Sequence, residues 1–203
     1  MALPTTFDAL FRSFAPGVPV NFMRSLAWHE SRMNPSESND PAWGLMQITP
    51  VVVQGTGYSM QDMLDPKKNV QIAGGLLSRI VDTYKRHPSK NLKEDWSNPE
   101  FVKLVLAGWN SGYSEGGGVG KVASYLEQRG IPVTHDSVFA NASAARATSH
   151  LQNTAKQRWQ RQVAADYFVE GGPGLLQSRT FLYAAVTVGA LAGAFLLWRK
   201  YRA

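Results

Sequence analysis

Residues 20–33 read Val-Asn-Phe-Met-Arg-Ser-Leu-Ala-Trp-His-Glu-Ser-Arg-Met and are followed by Asn34-Pro35. Apolar residues recur in this stretch at close to helical spacing, which predicts a mostly buried helix. Asn34-Pro35 should end it, because a proline disfavours helical conformation in the residue before it. Glu30 would then lie near the C-terminal end of a buried helix, where the helix dipole and the loss of hydration both favour the neutral carboxylic acid.

A raised pKa is what a general acid needs near neutral pH, so Glu30 is the candidate proton donor. His29-Glu30 also matches the start of a His-Glu-x-x-His zinc motif, but position 33 is Met33 and the second ligand is missing. The chain has four scattered histidines and no cysteine. We therefore predict no metal site and no cofactor.

Two further segments carry groups that suit a sugar-binding groove, Gly44-Leu45-Met46-Gln47-Ile48 and Gly108-Trp109-Asn110-Ser111-Gly112. The first combines a flexible glycine, apolar anchors and one amide, so that Gln47 can offer a donor and an acceptor. The second puts an aromatic face beside an amide, a pairing that stacks a sugar ring and fixes its orientation. The alternatives are that Gln47 and Asn110 only tie down turns and that Trp109 is a core residue.

Together with His29-Glu30-Ser31, these segments resemble the soluble lytic transglycosylase family, in which such motifs line a sugar-binding groove. The resemblance covers roughly residues 18 to 130. It implies a mainly α, lysozyme-like fold and the glycan strands of peptidoglycan as substrate. It also implies one catalytic residue, Glu30, and five substrate-binding residues: Ser31, Met46, Gln47, Trp109 and Asn110.

The reaction implied by the resemblance uses one carboxyl group twice. Glu30 would protonate the oxygen that joins N-acetylmuramic acid to N-acetylglucosamine, with the substrate's N-acetyl group replacing a second carboxylate. It would then take the proton of the sugar's 6-hydroxyl, which closes a 1,6-anhydro ring. Two alternatives remain: a hydrolytic lysozyme, in which water replaces the 6-hydroxyl, and a noncatalytic wall-binding membrane protein.

The sequence departs from the family pattern at two places. The family more often has tyrosine at the position of Trp109, so a phenol hydroxyl thought to contact the acid is missing, although the stacking surface remains. A late tyrosine that contacts the acid in the family would correspond to Tyr125, Tyr167 or neither. The glycine-rich run 115–120 lacks a phosphate-loop ending, and we expect it to form a mobile loop beside the groove.

The remainder of the chain divides by composition. Helical periodicity recurs at about 20–32, 69–86, 98–107 and 121–129, which predicts a mainly α domain. The resemblance implies that residues 1–140 are a lytic transglycosylase catalytic domain. Residues 141–178 are expected to form a polar, basic helical connector that ends in a Gly/Pro hinge. Its helix, with Lys156, Arg158 and Arg161, would be either solvated or laid against anionic lipid.

The C-terminal segment predicts a single transmembrane helix. Residues Phe181 to Trp198 are uncharged and predominantly apolar, and eighteen residues span about 27 Å. We place the helix at 179–198 and a basic tail at 199–203. Gly189 and Gly193 would allow a helix-mediated homodimer. The net charge of +6 suits a cell wall or lipid surface, and no nucleic-acid-binding motif is present.

The N-terminus shows no secretory signal peptide, whereas peptidoglycan lies outside the bacterial inner membrane. One hypothesis reconciles the two observations: the protein is carried in a phage virion, in an internal membrane, and opens the wall locally for genome entry. The alternative is an enzyme anchored in the bacterial inner membrane, facing the wall and serving a secretion or conjugation machine.

Overall fold

The structure, a computed structural model, describes residues 2–171. Within this range the chain is mainly helical, as the sequence predicts, with one two-stranded antiparallel hairpin. The α-helices are α1 (Asp8–Phe14), α2 (Val20–Ser31), α3 (Pro50–Val53), α4 (Pro66–Lys85), α5 (Pro99–Ser111), α6 (Val119–Glu127), α7 (His135–Asn141) and α8 (Thr154–Val169). Short 3-10 helices lie at Gln61–Leu64, Lys90–Leu92 and Ser149–Gln152, and the strands are β1 (Ser38–Asn39) and β2 (Ala42–Trp43).

Helix α5 is the centre of the core, because it is apolar on nearly every side. Residues 104–107, Leu-Val-Leu-Ala, are fully buried. A helix with apolar residues all round is stable only when other elements cover it, and α4, α6, α7 and α8 all contact α5. Its N-terminus is capped by Asn98, whose side chain accepts a hydrogen bond from the Glu100 N–H at 2.9 Å.

Helix α2 carries the predicted acid. Its buried face includes Phe22, Met23 and Leu26, as the apolar spacing predicts. The helix ends at Ser31 because Arg32 and Met33 adopt left-handed conformations, with φ of 55° and 63°. The chain thus leaves the helix before the Asn34-Pro35 pair, which was expected to end it. Glu30 lies in the last helical turn.

The hairpin and the turn after it form one side of the groove described below. Residues 44–47 form a turn, and Ile48 returns to β2 through hydrogen bonds with Trp43 at 3.0 Å in both directions. Gly44 has φ of 80°, and a Cβ there would lie 1.9 Å from the Met63 carbonyl oxygen. Only glycine fits this position, since the conformation is left-handed and the space is filled.

A buried side chain of α4 fixes this turn. Asn69 accepts a hydrogen bond from the Met46 N–H at 2.8 Å and donates to the carbonyls of Trp43 at 3.0 Å and Met63 at 2.9 Å. Buried backbone groups need such partners, because an unpaired one costs the free energy of desolvation. The helical segment predicted around Asn69 is therefore structural, through its polar side chain as well as its apolar residues.

The sequence predicted that helix α8 would be either solvated or laid against lipid. In the structure it is packed against the domain. It packs against α2 and α5, and the domain continues through Val169 instead of ending at residue 140. Val163 and Tyr167 are buried against the core, and Gln160 is fully buried with its Oε1 2.7 Å from His135 Nε2. The buried face of α8 was not evident from the sequence, because polar residues interrupt the apolar residues that form it.

Among residues 2–171, no helix is both long and apolar enough to cross a membrane. The predicted transmembrane segment 179–198, the Gly189 and Gly193 pair, the tail and most of the hinge lie outside the described residues. At the described C-terminal end, Glu170 accepts a hydrogen bond from the Leu3 N–H at 3.1 Å.

We predict that Asn69→Ala lowers the free energy of unfolding by about 3 kcal/mol, because it removes three hydrogen bonds to backbone groups of the turn and the adjoining 3-10 helix. Asn141→Ala is the matched control, since Asn141 donates one hydrogen bond, to the Ser137 carbonyl at 2.9 Å, and should cost about 1 kcal/mol. Chemical denaturation of the full-length chain measures both. Equal losses would show that the Asn69 contacts carry no special weight.

Candidate active site

A groove of about 1370 Å³ runs across the face where the C-terminal ends of α2 and α5 meet. The turn after β2 and helix α3 form one wall, and the glycine-rich loop and α8 contribute to the lining. The residues that matter for its chemistry are Glu30, Gln47, Arg79, Trp109, Asn110, Tyr113, His150 and Lys156. Among residues 2–171, no three His, Asp or Glu side chains are grouped as metal ligands would be.

Glu30 lies half-buried in this groove. Burial raises its pKa to about 7, while the hydrogen bond from Trp109 and the positive charge of Lys156 act in the opposite direction. Near neutral pH, both the protonated and the ionised form of the Glu30 carboxyl group are therefore populated. It can give up a proton and take one back, as general acid–base chemistry requires. Of the carboxyl side chains that the structure describes, Glu30 alone lines the groove.

Trp109 provides the direct contact to this acid. Its Nε1–H donates to Glu30 Oε1 at 2.7 Å. The sequence predicted a turn at this position, but α5 continues to Ser111 and ends where Gly112 adopts φ of 88°. The helix therefore aims the indole at the end of α2. The indole N–H of Trp109 therefore donates to Glu30 in place of the hydroxyl that a tyrosine at this position would carry.

Asn110 joins the groove to α8. Its Oδ1 accepts hydrogen bonds from Gln160 Nε2 at 2.5 Å and from Ser111 Oγ at 3.0 Å. Its backbone carbonyl accepts one from Lys156 Nζ at 2.7 Å. Since Gln160 also contacts His135, a polar chain runs from the interior to the groove and fixes the Asn110 amide.

Gln47 ties down the turn, which was one of the two interpretations left open by the sequence. It lines the groove, and its Nε2 donates to the carbonyls of Gly44 at 2.9 Å and Glu37 at 3.3 Å. Asn39 donates to its Oε1 at 3.3 Å. The amide therefore stabilises the turn, at a residue that lines the groove.

Ser31 and Met46 lie behind the groove wall. The Ser31 hydroxyl is buried, 2.8 Å from the Leu45 carbonyl oxygen and 3.3 Å from that of Ala27. It ties the end of α2 to the turn. Met46 is fully buried in the core. Of the predicted site residues, the structure brings Glu30, Gln47, Trp109 and Asn110 together at the groove.

Neither tyrosine proposed from the sequence contacts the acid. Tyr167 is buried and donates to the Trp96 carbonyl at 3.0 Å. Tyr125 is half-buried, with the Arg129 guanidinium 3.7 Å from the centre of its ring. Tyr113, which follows α5, lines the groove instead.

Sequence reasoning missed Lys156 and His150, both of which follow the predicted domain end. The signal that could have found Lys156 is the spacing of Gln160, Val163 and Tyr167, which marks a packed face of the same helix. The glycine-rich loop does lie at the groove, through Gly117 and Gly118. It is anchored there, because the Thr148 N–H donates to the Gly117 carbonyl at 2.9 Å.

Comparison with known proteins gives a consistent result. A family profile described as Transglycosylase SLT domain matches residues 11–127. Two solved structures are similar at 21% identity, and each similarity covers 81% of this chain. One is the 70 kDa soluble lytic transglycosylase from Escherichia coli, with a TM-score of 0.53. The other is a complex of the 70-kDa soluble lytic transglycosylase with bulgecin A, with a TM-score of 0.54. This chain covers 24% of each of those chains. The likeness establishes the fold. A search of curated proteins finds no match.

The raised pKa of Glu30 predicts a pH-dependent cost to stability. Its pKa is about 7 when folded, against an ordinary value of 4.5, so the folded state binds more protons between these values. The protonated Glu30 carboxyl therefore stabilises the folded state at low pH, and this contribution is lost as the pH rises through 7. Glu30→Gln cannot ionise, and its unfolding free energy relative to wild type should improve by about 3 kcal/mol between pH 4 and pH 8.

Chemical denaturation of both chains at the two pH values measures this difference. Glu115→Gln is the control, because the Glu115 side chain is exposed, and it should shift stability equally at both. An identical pH response of wild type and Glu30→Gln would contradict a buried, ionising Glu30.

Proposed function

The chain belongs to the Transglycosylase SLT domain family, and on that premise we propose that it is a peptidoglycan lytic transglycosylase. The bond cleaved is the β-1,4 bond between N-acetylmuramic acid and N-acetylglucosamine, and the product carries a 1,6-anhydro ring. The observation that carries this proposal is one half-buried acid, Glu30, with a pKa of about 7 in a long groove.

In the first step, the protonated Glu30 carboxyl donates its proton to the oxygen that bridges the two sugars. The bond between this oxygen and C1 breaks, and the leaving sugar departs as an alcohol. Positive charge develops at C1, and the oxygen of the substrate's own N-acetyl group is the nucleophile that can stabilise it. This substrate assistance suits a groove with one carboxylic acid, since many glycosidases use two.

In the second step, the Glu30 carboxylate accepts the proton of the 6-hydroxyl as O6 attacks C1 and the bond between C1 and the acetyl oxygen breaks. The 1,6-anhydro ring closes, and Glu30 is protonated again for the next turnover. Between the steps the acid is an anion, and the Trp109 N–H at 2.7 Å is aimed at it. Hydrogen bonding to the charged form stabilises it, so the indole favours the state in which Glu30 acts as a base.

The test is mass spectrometry of fragments released from purified peptidoglycan by the full-length chain in detergent. Wild type should give 1,6-anhydro ends, and Glu30→Gln should release fragments at least about 100-fold more slowly, because the amide cannot transfer the proton. Glu94→Gln, which changes an exposed glutamate that does not line the groove, should cleave as wild type does.

Other products would select the other functions. Reducing ends that vanish in Glu30→Gln would make the protein a hydrolytic lysozyme. A folded wild-type chain that binds peptidoglycan and releases no fragments would make it a wall-binding protein.

We further propose that residues 179–198 anchor the enzyme in a membrane and that it acts from a phage virion during genome entry. The uncharged segment Phe181 to Trp198, the basic residues after it and the net charge of +6 support the anchor. The alternative is an enzyme that is anchored in the bacterial inner membrane and serves a secretion or conjugation machine. Dimerisation through Gly189 and Gly193 would follow from close helix packing.

The anchor predicts that the full-length chain stays with membranes during alkaline carbonate extraction. Ala190→Arg combined with Leu191→Arg should release it, since each arginine at the centre costs roughly 3 kcal/mol. Val169→Arg, at an exposed position outside the segment, is the control and should remain bound. Recovery of the protein in the lipid fraction of purified phage particles would support the virion role, and its absence from particles would end it.

A further inference from the structure

Helix α8 adds a cationic side chain to the groove from outside the segment that matches the family. The family profile ends at residue 127, whereas Lys156 lies on α8 and lines the groove together with Glu30. The Lys156 Nζ donates to the backbone carbonyl of Asn110 at 2.7 Å. Its ammonium is therefore held at Asn110, the residue after Trp109, which contacts Glu30.

The packing of α8 makes this placement rigid. Gln160, one helical turn beyond Lys156, contacts both Asn110 and His135 through its buried amide. Two turns further, the Asp166 carboxylate lies 2.7 Å from His29 Nε2, on the residue next to the acid. Lys156 is thus carried by a helix that is attached to both α2 and α5.

We propose that Lys156 is a positioning residue of the active site: its ammonium, held by the Asn110 carbonyl, keeps a positive charge near Glu30 and stabilises the carboxylate formed after proton donation. This inference rests on the proposed function and extends it to a residue beyond the family segment. A fixed charge in a partly desolvated site acts more strongly than one in water.

The electrostatics of the two groups agree with this geometry. The pKa of Lys156 is lowered by burial, and Glu30 acts on it in the raising direction. In return, Lys156 acts on the Glu30 pKa in the lowering direction, after burial and the Trp109 hydrogen bond. The other titratable or charged groups lining the groove are Arg79 of α4, Tyr113 after α5 and His150 before α8.

A structural role for Lys156 has to be separated from this one, because its hydrogen bond also caps the C-terminal end of α5. Lys156→Gln removes the charge and retains a donor for the Asn110 carbonyl. Lys156→Arg retains the charge. Lys93 is the matched control, since its Nζ caps the end of α4 by donating to the carbonyls of Lys85 at 2.8 Å and His87 at 2.5 Å, away from the groove.

The experiment is an NMR titration of the Glu30 side-chain carboxyl carbon in the full-length chain in detergent, assigned by its loss in Glu30→Gln. Lys156→Gln should move the titration midpoint to higher pH, Lys156→Arg should restore it, and Lys93→Gln should leave it unchanged. In the peptidoglycan assay, Lys156→Gln should lower kcat by roughly tenfold with little change in KM, since a lost transition-state interaction acts on kcat.

A Glu30 midpoint that stays in place in folded Lys156→Gln would overturn the proposal. So would a rise in KM with an unchanged midpoint, which would make Lys156 a substrate contact. The titration does not depend on cleavage. If the wild-type chain showed no cleavage while Lys156→Gln still moved the Glu30 midpoint, the proposed function would be refuted and the electrostatic coupling would be supported.

Discussion

The hydrogen bond from the Trp109 indole to the Glu30 carboxylate is the contact on which the rest of the site depends. It joins the last turn of α2 to the last turn of α5 across 79 positions of sequence. Burial drives the acid toward its neutral form, and this donor is the larger of two effects that act against burial, the other being the charge of Lys156. Together they bring the pKa to about 7, and the burial and the indole contact both require the helix ends to converge. The buried face of α2 and the apolar centre of α5 maintain that convergence.

Two buried amides hold the walls of the groove in place around this contact. On one side Asn69 bridges three backbone groups of the turn after β2 and the adjoining 3-10 helix. On the other, Gln160 links His135 to Asn110. Each amide has partners at both ends, so its burial does not leave an unpaired group. Such networks rigidify a core when every member is satisfied, and here they fix the two side walls relative to the acid.

The sequence predicted the groups at the centre of the groove and failed at its periphery, for identifiable reasons. The place of Glu30 near a helix end follows from helical spacing, and its assignment to a groove with Gln47, Trp109 and Asn110 follows from the family resemblance of three short motifs. The inward direction of Met46 does not follow, because it depends on the left-handed conformations of Gly44 and Gln47. The place of Lys156 does not follow either, since a contact 46 residues away decides it.

The charges of the groove explain why burial has to be the dominant effect on Glu30. Lys156 is a cation, and a nearby cation favours the carboxylate. Without burial, Glu30 would be ionised at neutral pH even at its ordinary pKa of 4.5, and it would have no proton to donate. With burial as the largest cause of the shift, the acid remains protonated in part, and in the proposed reaction the charge of Lys156 stabilises the carboxylate once the proton has left. The same positive groove, on a chain with a net charge of +6, would attract an anionic polymer. In the proposed reaction, one arrangement of charge therefore suits both the approach of substrate and the alternation of Glu30 between acid and base.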